Sequence, residues 1–110
     1  MKIIDTRIRL DTIEVYRIEM THEFASWLNG IRDQRVKLRV VARLRQATAG
    51  NFGDWKPIEG ALSEMRLKMG PGYRLYFTRR GKVLIIMLAG GDKSSQGRDI
   101  EKAKHLMQEL

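Results

Sequence analysis

Two stretches of alternating side chains flank a Gly-Pro-Gly sequence and predict a β-hairpin with one charged face. In residues 64–69 and 73–78, polar and apolar residues alternate, and alternate residues of a strand point to the same side of a sheet. The apolar set can therefore face a core while the polar set faces solvent. The polar set consists of Glu64, Arg66, Lys68, Arg74, Tyr76 and Thr78.

A loop made of residues 70–72 sets the expected pairing across this hairpin. It predicts Met69 opposite Tyr73, Lys68 opposite Arg74, Arg66 opposite Tyr76 and Glu64 opposite Thr78. Three cations then lie within about 8 Å of one another, although like charges directly opposite destabilise a sheet. Fixed cations are suited to hold a phosphate and to stabilise charge that develops on its oxygens. The polar face thus predicts a phosphate-binding site, and a solvated face of long side chains is the alternative.

The sequence contains no other motif typical of an enzyme site. Its two histidines, His22 and His105, are far apart, and it has no cysteine, so we predict no metal site and no cofactor. The segment G-G-D-K-S-S-Q joins a predicted strand to a helix, where backbone amides favour anions. Lys93 in this segment could serve the same phosphate. A helix cap formed by Ser94 or Ser95 is the alternative interpretation.

The charge of the chain favours a polyanionic partner. Lys and Arg number 21 against 13 Asp and Glu, which gives a formal net charge of +8. Nucleic acid, a ribosome or an acidic protein would be attracted to such a chain. Residues 31–50 carry six basic side chains and one acidic one. We expect Arg39 and Arg43 to belong to a surface that docks RNA or an acidic partner, with a merely solvated helix face as the alternative.

The coarse order of elements is strand, helix, helix, three strands, helix. Residues 13–18 favour a strand, Thr21 and Asp33 are suited to cap helices that end near Gly30 and Thr48, and residues 96–110 show helical periodicity. This order predicts an α+β fold in which an antiparallel sheet packs against two N-terminal helices, with a C-terminal helix. We expect one domain over residues 12–110, preceded by an extension of uncertain role over residues 1–11.

Features of membrane-bound and secreted proteins are absent from the sequence. No apolar run approaches the roughly 18 residues that span a bilayer. Charges interrupt the N-terminal residues too early for a signal peptide. With the absence of cysteine, these features fit a cytoplasmic protein.

Several linked motifs resemble those of the addiction-module killer proteins of the RelE/ParE toxin superfamily, close to its HigB-like branch. They are F-x-x-W-L, G-N-F-G-D-W-K-P, S-E-M-R, G-P-G-Y-R-L-Y-F and G-G-D-K-S-S-Q, in that order over residues 12–110. The resemblance implies a RelE-like fold and a toxin of a type II toxin–antitoxin pair. It also implies a cognate antitoxin, expected to be of the helix-turn-helix type.

The resemblance further implies an activity and some of its residues. RelE- and HigB-like members cut mRNA on the ribosome, whereas ParE-like members poison DNA gyrase. Arg74 matches a phosphate-contacting arginine, Arg66 matches a basic residue of the catalytic site, and Lys93 lies in a loop that carries basic site residues. RelE has a tyrosine near the start of its last helix, where this chain has Asp99 and Ile100. Tyr76 is a candidate to replace that tyrosine and to contact RNA.

Cleavage without a metal proceeds by attack of the 2′-hydroxyl on the adjacent phosphate and needs a base, a cation and an acid. We expect Arg66 and Arg74 to hold the phosphate, Lys93 to bind a flanking phosphate, and Lys68 or Glu64 to act as the base. Two alternatives remain at this point. One is a ParE-like gyrase inhibitor without nuclease activity, and the other is a non-toxic basic module that binds RNA or protein.

Overall fold

The structure, a computed structural model, describes residues 15–110, which form a mixed sheet and three α-helices. The elements are β1 (Arg17–Met20), α1 (His22–Gly30), α2 (Gln34–Thr48), β2 (Trp55–Glu59), β3 (Leu62–Leu67), β4 (Tyr73–Arg80), β5 (Leu84–Asp92), a 3₁₀ turn (Lys93–Ser95) and α3 (Gln96–Gln108). The extension predicted over residues 1–11 and the start of the first predicted strand lie outside the described residues. No described helix is long and apolar enough to cross a membrane.

The five strands form one sheet in the order β1-β5-β4-β3-β2. The strand β1 runs parallel to β5, and all other neighbours are antiparallel. The predicted α+β fold and its antiparallel meander of β3, β4 and β5 are therefore confirmed. The pattern does not predict β2, because its sequence W-K-P-I-E follows a turn-rich stretch. Pro57 is tolerated there because β2 lies at an edge of the sheet, where a missing N–H breaks no ladder.

The first two helices begin at the predicted caps and cover one face of the sheet. The Thr21 hydroxyl accepts a hydrogen bond from the N–H of Phe24 at 3.0 Å, and the Asp33 carboxylate accepts one from the N–H of Arg35 at 2.9 Å. The buried positions of α2 recur every three or four residues, so one face of the helix lies on the sheet. The core on this side includes Phe24, Leu28, Val36, Val40, Leu44, Phe52, Met65, Leu75, Phe77 and Met87.

The last helix packs against the opposite face of the sheet. The core on that side includes Leu62, Tyr76, Ile86, Leu88, Ala89 and Ala103. Because helices cover both faces of the interior strand β5, its residues 84–89 are all apolar. The helix predicted over residues 96–110 is confirmed at Gln96–Gln108, and its Ala103 is buried in this core.

The β3–β4 hairpin has a longer loop than the sequence pattern suggests. Arg66 lies opposite Arg74, and Glu64 lies opposite Tyr76. The predicted register is therefore wrong by two residues. The carbonyl of Met69 accepts a hydrogen bond from the N–H of Gly72 at 3.0 Å, which makes Met69 part of the turn. Gly70 and Gly72 both have positive φ, a backbone conformation that glycine adopts without steric cost. A slip of two preserves which residues share a face, because the period of a strand is two.

Two glycines near the end of β5 allow side chains to approach the sheet from both faces. A Cβ added at Gly90 would overlap the ring of Trp27 from α1, and one added at Gly91 would overlap the carboxylate of Asp99 from α3. The segment G-G-D-K-S-S-Q is thus not all connection, because β5 continues through both glycines to Asp92.

Candidate functional site

A group of charged residues meets on one face of three neighbouring strands. Lys56 of β2 lies opposite Glu64 of β3, and Arg66 of β3 lies opposite Arg74 of β4. Asp54, just before β2, accepts a hydrogen bond from Arg66 Nη2 at 3.1 Å. We call these five residues the Glu64 cluster. The structure thus brings together three of the four catalytic residues predicted from the sequence.

The carboxylate of Glu64 lies at the centre of this cluster. Its Oε1 accepts a hydrogen bond from Arg74 Nη1 at 3.0 Å. Two more cations approach the same oxygen, Nζ of Lys56 at 3.8 Å and Nε of Arg66 at 4.0 Å. One carboxylate oxygen therefore holds three basic side chains that would otherwise repel one another.

Burial in the cluster is graded from the carboxylate outwards. The side chain of Glu64 is 0% exposed, whereas that of Arg74 is 17% exposed, that of Arg66 35% and that of Lys56 49%. The cations therefore cover the carboxylate and are themselves partly open to solvent. Three cations against two carboxylates leave the cluster with a formal charge of +1, which suits an anion.

Tyr76 lies beside Glu64 but beneath the surface. Its side chain is fully buried against the α3 side of the sheet, so it does not face solvent as a contact for RNA would. The expectation that it contacts RNA is corrected for that reason. Burial raises the pKa of the Tyr76 phenol, and the nearby carboxylates of Glu64 and Asp99 raise it further, while Arg74 opposes them. The phenol thus stays protonated at neutral pH.

Two buried oxygens of this region have no protein partner within the described part of the chain. They are the Tyr76 hydroxyl and Oε2 of Glu64. Glu64 is buried and its Oε1 accepts a hydrogen bond from Arg74, so its carboxylate does not face solvent. This burial disfavours the expected role of Glu64 as a base, which stays a prediction.

Lys68 does not join the cluster by cross-strand pairing. The strand β3 ends at Leu67, so Lys68 lies in the hairpin loop, where it is exposed. The sequence pattern predicts Lys68 opposite Arg74. Arg66 lies there instead, because the turn includes Met69. The predicted convergence of three cations from the hairpin alone is wrong, and Lys56 of β2 supplies the third cation instead.

Arg43 has a structural position rather than the expected RNA-facing one. Its guanidinium donates hydrogen bonds to the carbonyls of Arg66 at 2.7 Å, Phe52 at 2.8 Å and Asp54 at 3.2 Å. It thereby ties α2 to the loop before β2 and to β3. Arg39, one turn earlier on the same helix, is exposed, and its contact with RNA stays a prediction.

Lys93 occupies the 3₁₀ turn and is exposed. Its own N–H donates to the carbonyl of Gly72 at 2.9 Å, which joins this turn to the β3–β4 loop. Asp92 caps the turn by accepting from the N–H of Ser94 at 2.8 Å, and Ser95 donates its hydroxyl to Asp99. Binding of a flanking phosphate by Lys93 stays a prediction.

A depression of about 250 Å³ lies beside the two glycines of β5, and its lining includes Trp27, Asp99 and Lys102. It includes no residue of the Glu64 cluster. In residues 15–110, no group of three or more His, Asp or Glu side chains is arranged to hold a metal ion.

Sequence reasoning missed Asp54 and Lys56. Lys56 lies in the edge strand β2 and Asp54 just before it, in a stretch whose turn-rich sequence favours a loop, so the sequence pattern assigns neither a partner. The signal that could have found them is the proline of W-K-P-I-E, since a proline in an otherwise extended stretch is typical of edge strands.

Comparison with known proteins finds similarity both in sequence and in structure. No protein-family model matches the chain. Over 94 residues it is 44% identical to a Haemophilus influenzae protein described as uncharacterized, and the match covers 86% of this chain and 95% of that protein. The chain belongs to the same family as this protein. Its structure is similar to that of E. coli toxin RelE, a double arginine-to-alanine mutant in the free state, with a TM-score of 0.61 and 11% identity. That match covers 82% of this chain and 98% of RelE, and it shows a RelE-like fold.

Proposed function

We propose that this chain is the toxin of a toxin–antitoxin pair and that it inhibits translation by cutting mRNA on the ribosome. The observation that carries the proposal is the Glu64 cluster, in which Lys56, Arg66 and Arg74 present N–H donors on one face of the sheet. The RelE-like fold supports it, since the similar solved structure is that of a toxin. A cognate antitoxin partner is part of the proposal.

The reaction we propose is an internal transfer at one phosphate of the RNA. The 2′-hydroxyl oxygen attacks phosphorus, its proton passes to a base, and the bond to the 5′-oxygen breaks as that oxygen takes up a proton. The products are a 2′,3′-cyclic phosphate and a 5′-hydroxyl. Negative charge grows on the phosphate oxygens during attack, and donors fixed towards those oxygens lower the barrier.

The roles of the cluster follow from its burial. The outward N–H groups of Arg66 and Arg74 bind the phosphate, while Glu64 holds Arg74 from below and limits its motion. Preorganised donors of this kind need little rearrangement when charge develops. Of the two bases considered from the sequence, Lys68 is the exposed one and is the candidate that we retain.

The test compares induced expression of the wild-type chain with that of two variants. Arg74→Ala removes a phosphate donor and is expected to reduce cleavage by about 10²–10³-fold, by analogy with the loss of one transition-state donor. Arg35→Ala is the matched control, because its side chain is 86% exposed and pairs only with Asp33 among the described residues. Growth, protein synthesis by pulse labelling and mRNA cleavage by primer extension are measured at equal expression.

Each outcome decides the proposal. Loss of arrest and of cleavage in Arg74→Ala, with both retained in Arg35→Ala, supports it. Full toxicity of Arg74→Ala contradicts the site. Loss of DNA supercoiling with intact mRNA would show a gyrase inhibitor instead. Purified protein should cut ribosome-bound mRNA faster than naked mRNA, and equal rates would contradict the requirement for the ribosome.

A further inference from the structure

A planar cation rests on aromatic rings at the far end of β4 from the hairpin loop. The guanidinium carbon of Arg79 lies 4.1 Å from the ring centre of Phe52, 4.9 Å from that of Trp55 and 5.9 Å from that of Tyr16. We call these four residues the Arg79 platform. Arg79 itself is exposed, so the guanidinium covers the rings on one side and meets solvent on the other.

The platform is fixed to the core beneath it. Phe52 is buried and stacks on Phe77 with ring centres 5.8 Å apart and planes within 4° of parallel. Trp55 packs against both rings, with its ring centre 5.9 Å from that of Phe52 and 6.2 Å from that of Phe77. Despite these contacts, 39% of Trp55 remains exposed. Trp55 and Arg79 are therefore held side by side on a rigid core, with part of each open to solvent.

Such a surface has the chemistry that binds an unpaired nucleobase. Bases of single-stranded RNA stack on aromatic rings and on arginine planes, and the cation attracts the backbone. Trp55 also stands between Asp54 and Lys56, two members of the Glu64 cluster. Its ring points to one face of β2 while Lys56 points to the other. Because β2 is an edge strand, a single strand of RNA can pass around it and contact both faces.

We propose that the Arg79 platform is a second RNA contact, on which one base of a single-stranded RNA stacks. This inference rests on the proposed function for its ligand class, but it concerns a different surface. The stacked base belongs to a nucleotide near the phosphate held by the Glu64 cluster. The net charge of +8 favours a polyanion over other occupants of the platform.

The test uses a 12-nucleotide oligoadenylate at low salt and follows its anisotropy on adding purified protein. Arg79→Lys keeps the charge but removes the plane, and Trp55→Ala removes the ring. Each is expected to weaken binding by about 5- to 100-fold, the range found for the loss of one stacked base. Arg80→Lys is the matched control, since this exposed arginine is next along β4 and points to the opposite face. It should stay within about twofold of wild type.

Two further measurements separate stacking from charge and from misfolding. In a Trp27→Phe background Trp55 is the single tryptophan, and its emission should be quenched by the oligoadenylate. Trp55→Phe keeps a ring and should recover most of the affinity that Trp55→Ala loses. An abasic oligonucleotide of equal length should bind wild type and Arg79→Lys equally.

Three results would overturn the proposal. Wild type does not bind the oligoadenylate, or Arg79→Lys and Trp55→Ala bind it as tightly as wild type does. The third is that Arg79→Lys loses as much affinity for the abasic strand as for the oligoadenylate. The two proposals fail separately. If Arg74→Ala is still toxic and Arg79→Lys binds more weakly, the nuclease site is refuted and the Arg79 platform is supported. If Arg74→Ala loses toxicity and Arg79→Lys binds as wild type does, the Arg79 platform alone is refuted.

Discussion

Removing the charge of Glu64 should destabilise the fold, because its carboxylate holds three cations together. Breaking a buried ion pair by removing one partner costs about 3–5 kcal/mol of unfolding free energy. In this cluster Arg74 is 17% exposed, Arg66 35% and Lys56 49%, so the released cations can be partly hydrated. We therefore expect the lower end, about 3 kcal/mol, for Glu64→Ala. Glu64→Gln keeps an acceptor for Arg74, which is worth about 1 kcal/mol, and should cost about 2 kcal/mol.

Urea unfolding of purified protein measures this loss. With a urea slope of about 1–3 kcal/mol per molar, a loss of 2 kcal/mol lowers the midpoint by about 0.7–2 M. Glu19→Gln is the matched control, since its ion pair with Arg17 joins side chains that are 55% and 72% exposed. Such a surface pair is worth less than about 1 kcal/mol. If Glu64→Gln unfolds at the same midpoint as wild type, the central role of Glu64 is refuted.

Other predictions concern the glycines of β5 and α3 and the phenol of Tyr76. Gly91→Ala should lower the unfolding free energy by about 1–3 kcal/mol, because the added Cβ would overlap the Asp99 carboxylate. Gly97→Ala has open space around the added Cβ and should stabilise α3 by about 0.5–1 kcal/mol. Urea midpoints that shift in the same direction for both variants would contradict this prediction. The pKa of Tyr76 is raised in the folded protein, so its contribution to stability is present below pH 10 and is lost as the pH rises above it. Tyr76→Phe should therefore lose less stability than wild type between pH 9 and 11 and differ by no more than about 1 kcal/mol at pH 7, as urea midpoints at each pH will show.

The hairpin that carries the site shows where sequence reasoning succeeds and where it stops. Alternation in residues 64–69 and 73–78 correctly separates the polar set from the apolar one, because that separation depends only on the two-residue period. The pairing of Arg66 with Arg74 depends on the conformation of the loop, in which Gly70 and Gly72 take positive φ and Met69 joins the turn. A glycine permits that conformation but does not require it, so the register could not be predicted with certainty.

The site also depends on contacts between residues far apart in the chain. Lys56 reaches Glu64 only because β2 pairs with β3 at the edge of the sheet, and the local sequence W-K-P-I-E does not determine which strand it joins. The sequence does not distinguish Arg43 from an exposed arginine of the same helix. Its three carbonyl partners come from the loop after α2 and from β3, so its structural role is visible only once those elements meet.

What the amino-acid sequence determined by itself is local: the caps at Thr21 and Asp33, the apolar stripe of α2, the two faces of each strand and the basic net charge. These features arise from hydrogen bonds and periodicities that span a few residues. Only the tertiary structure decided which cations gather on Glu64, that Tyr76 is buried, and that Arg79 rests on Phe52 and Trp55. Those outcomes require chain segments to close long loops and pack together, and short-range patterns carry no record of which segments will meet.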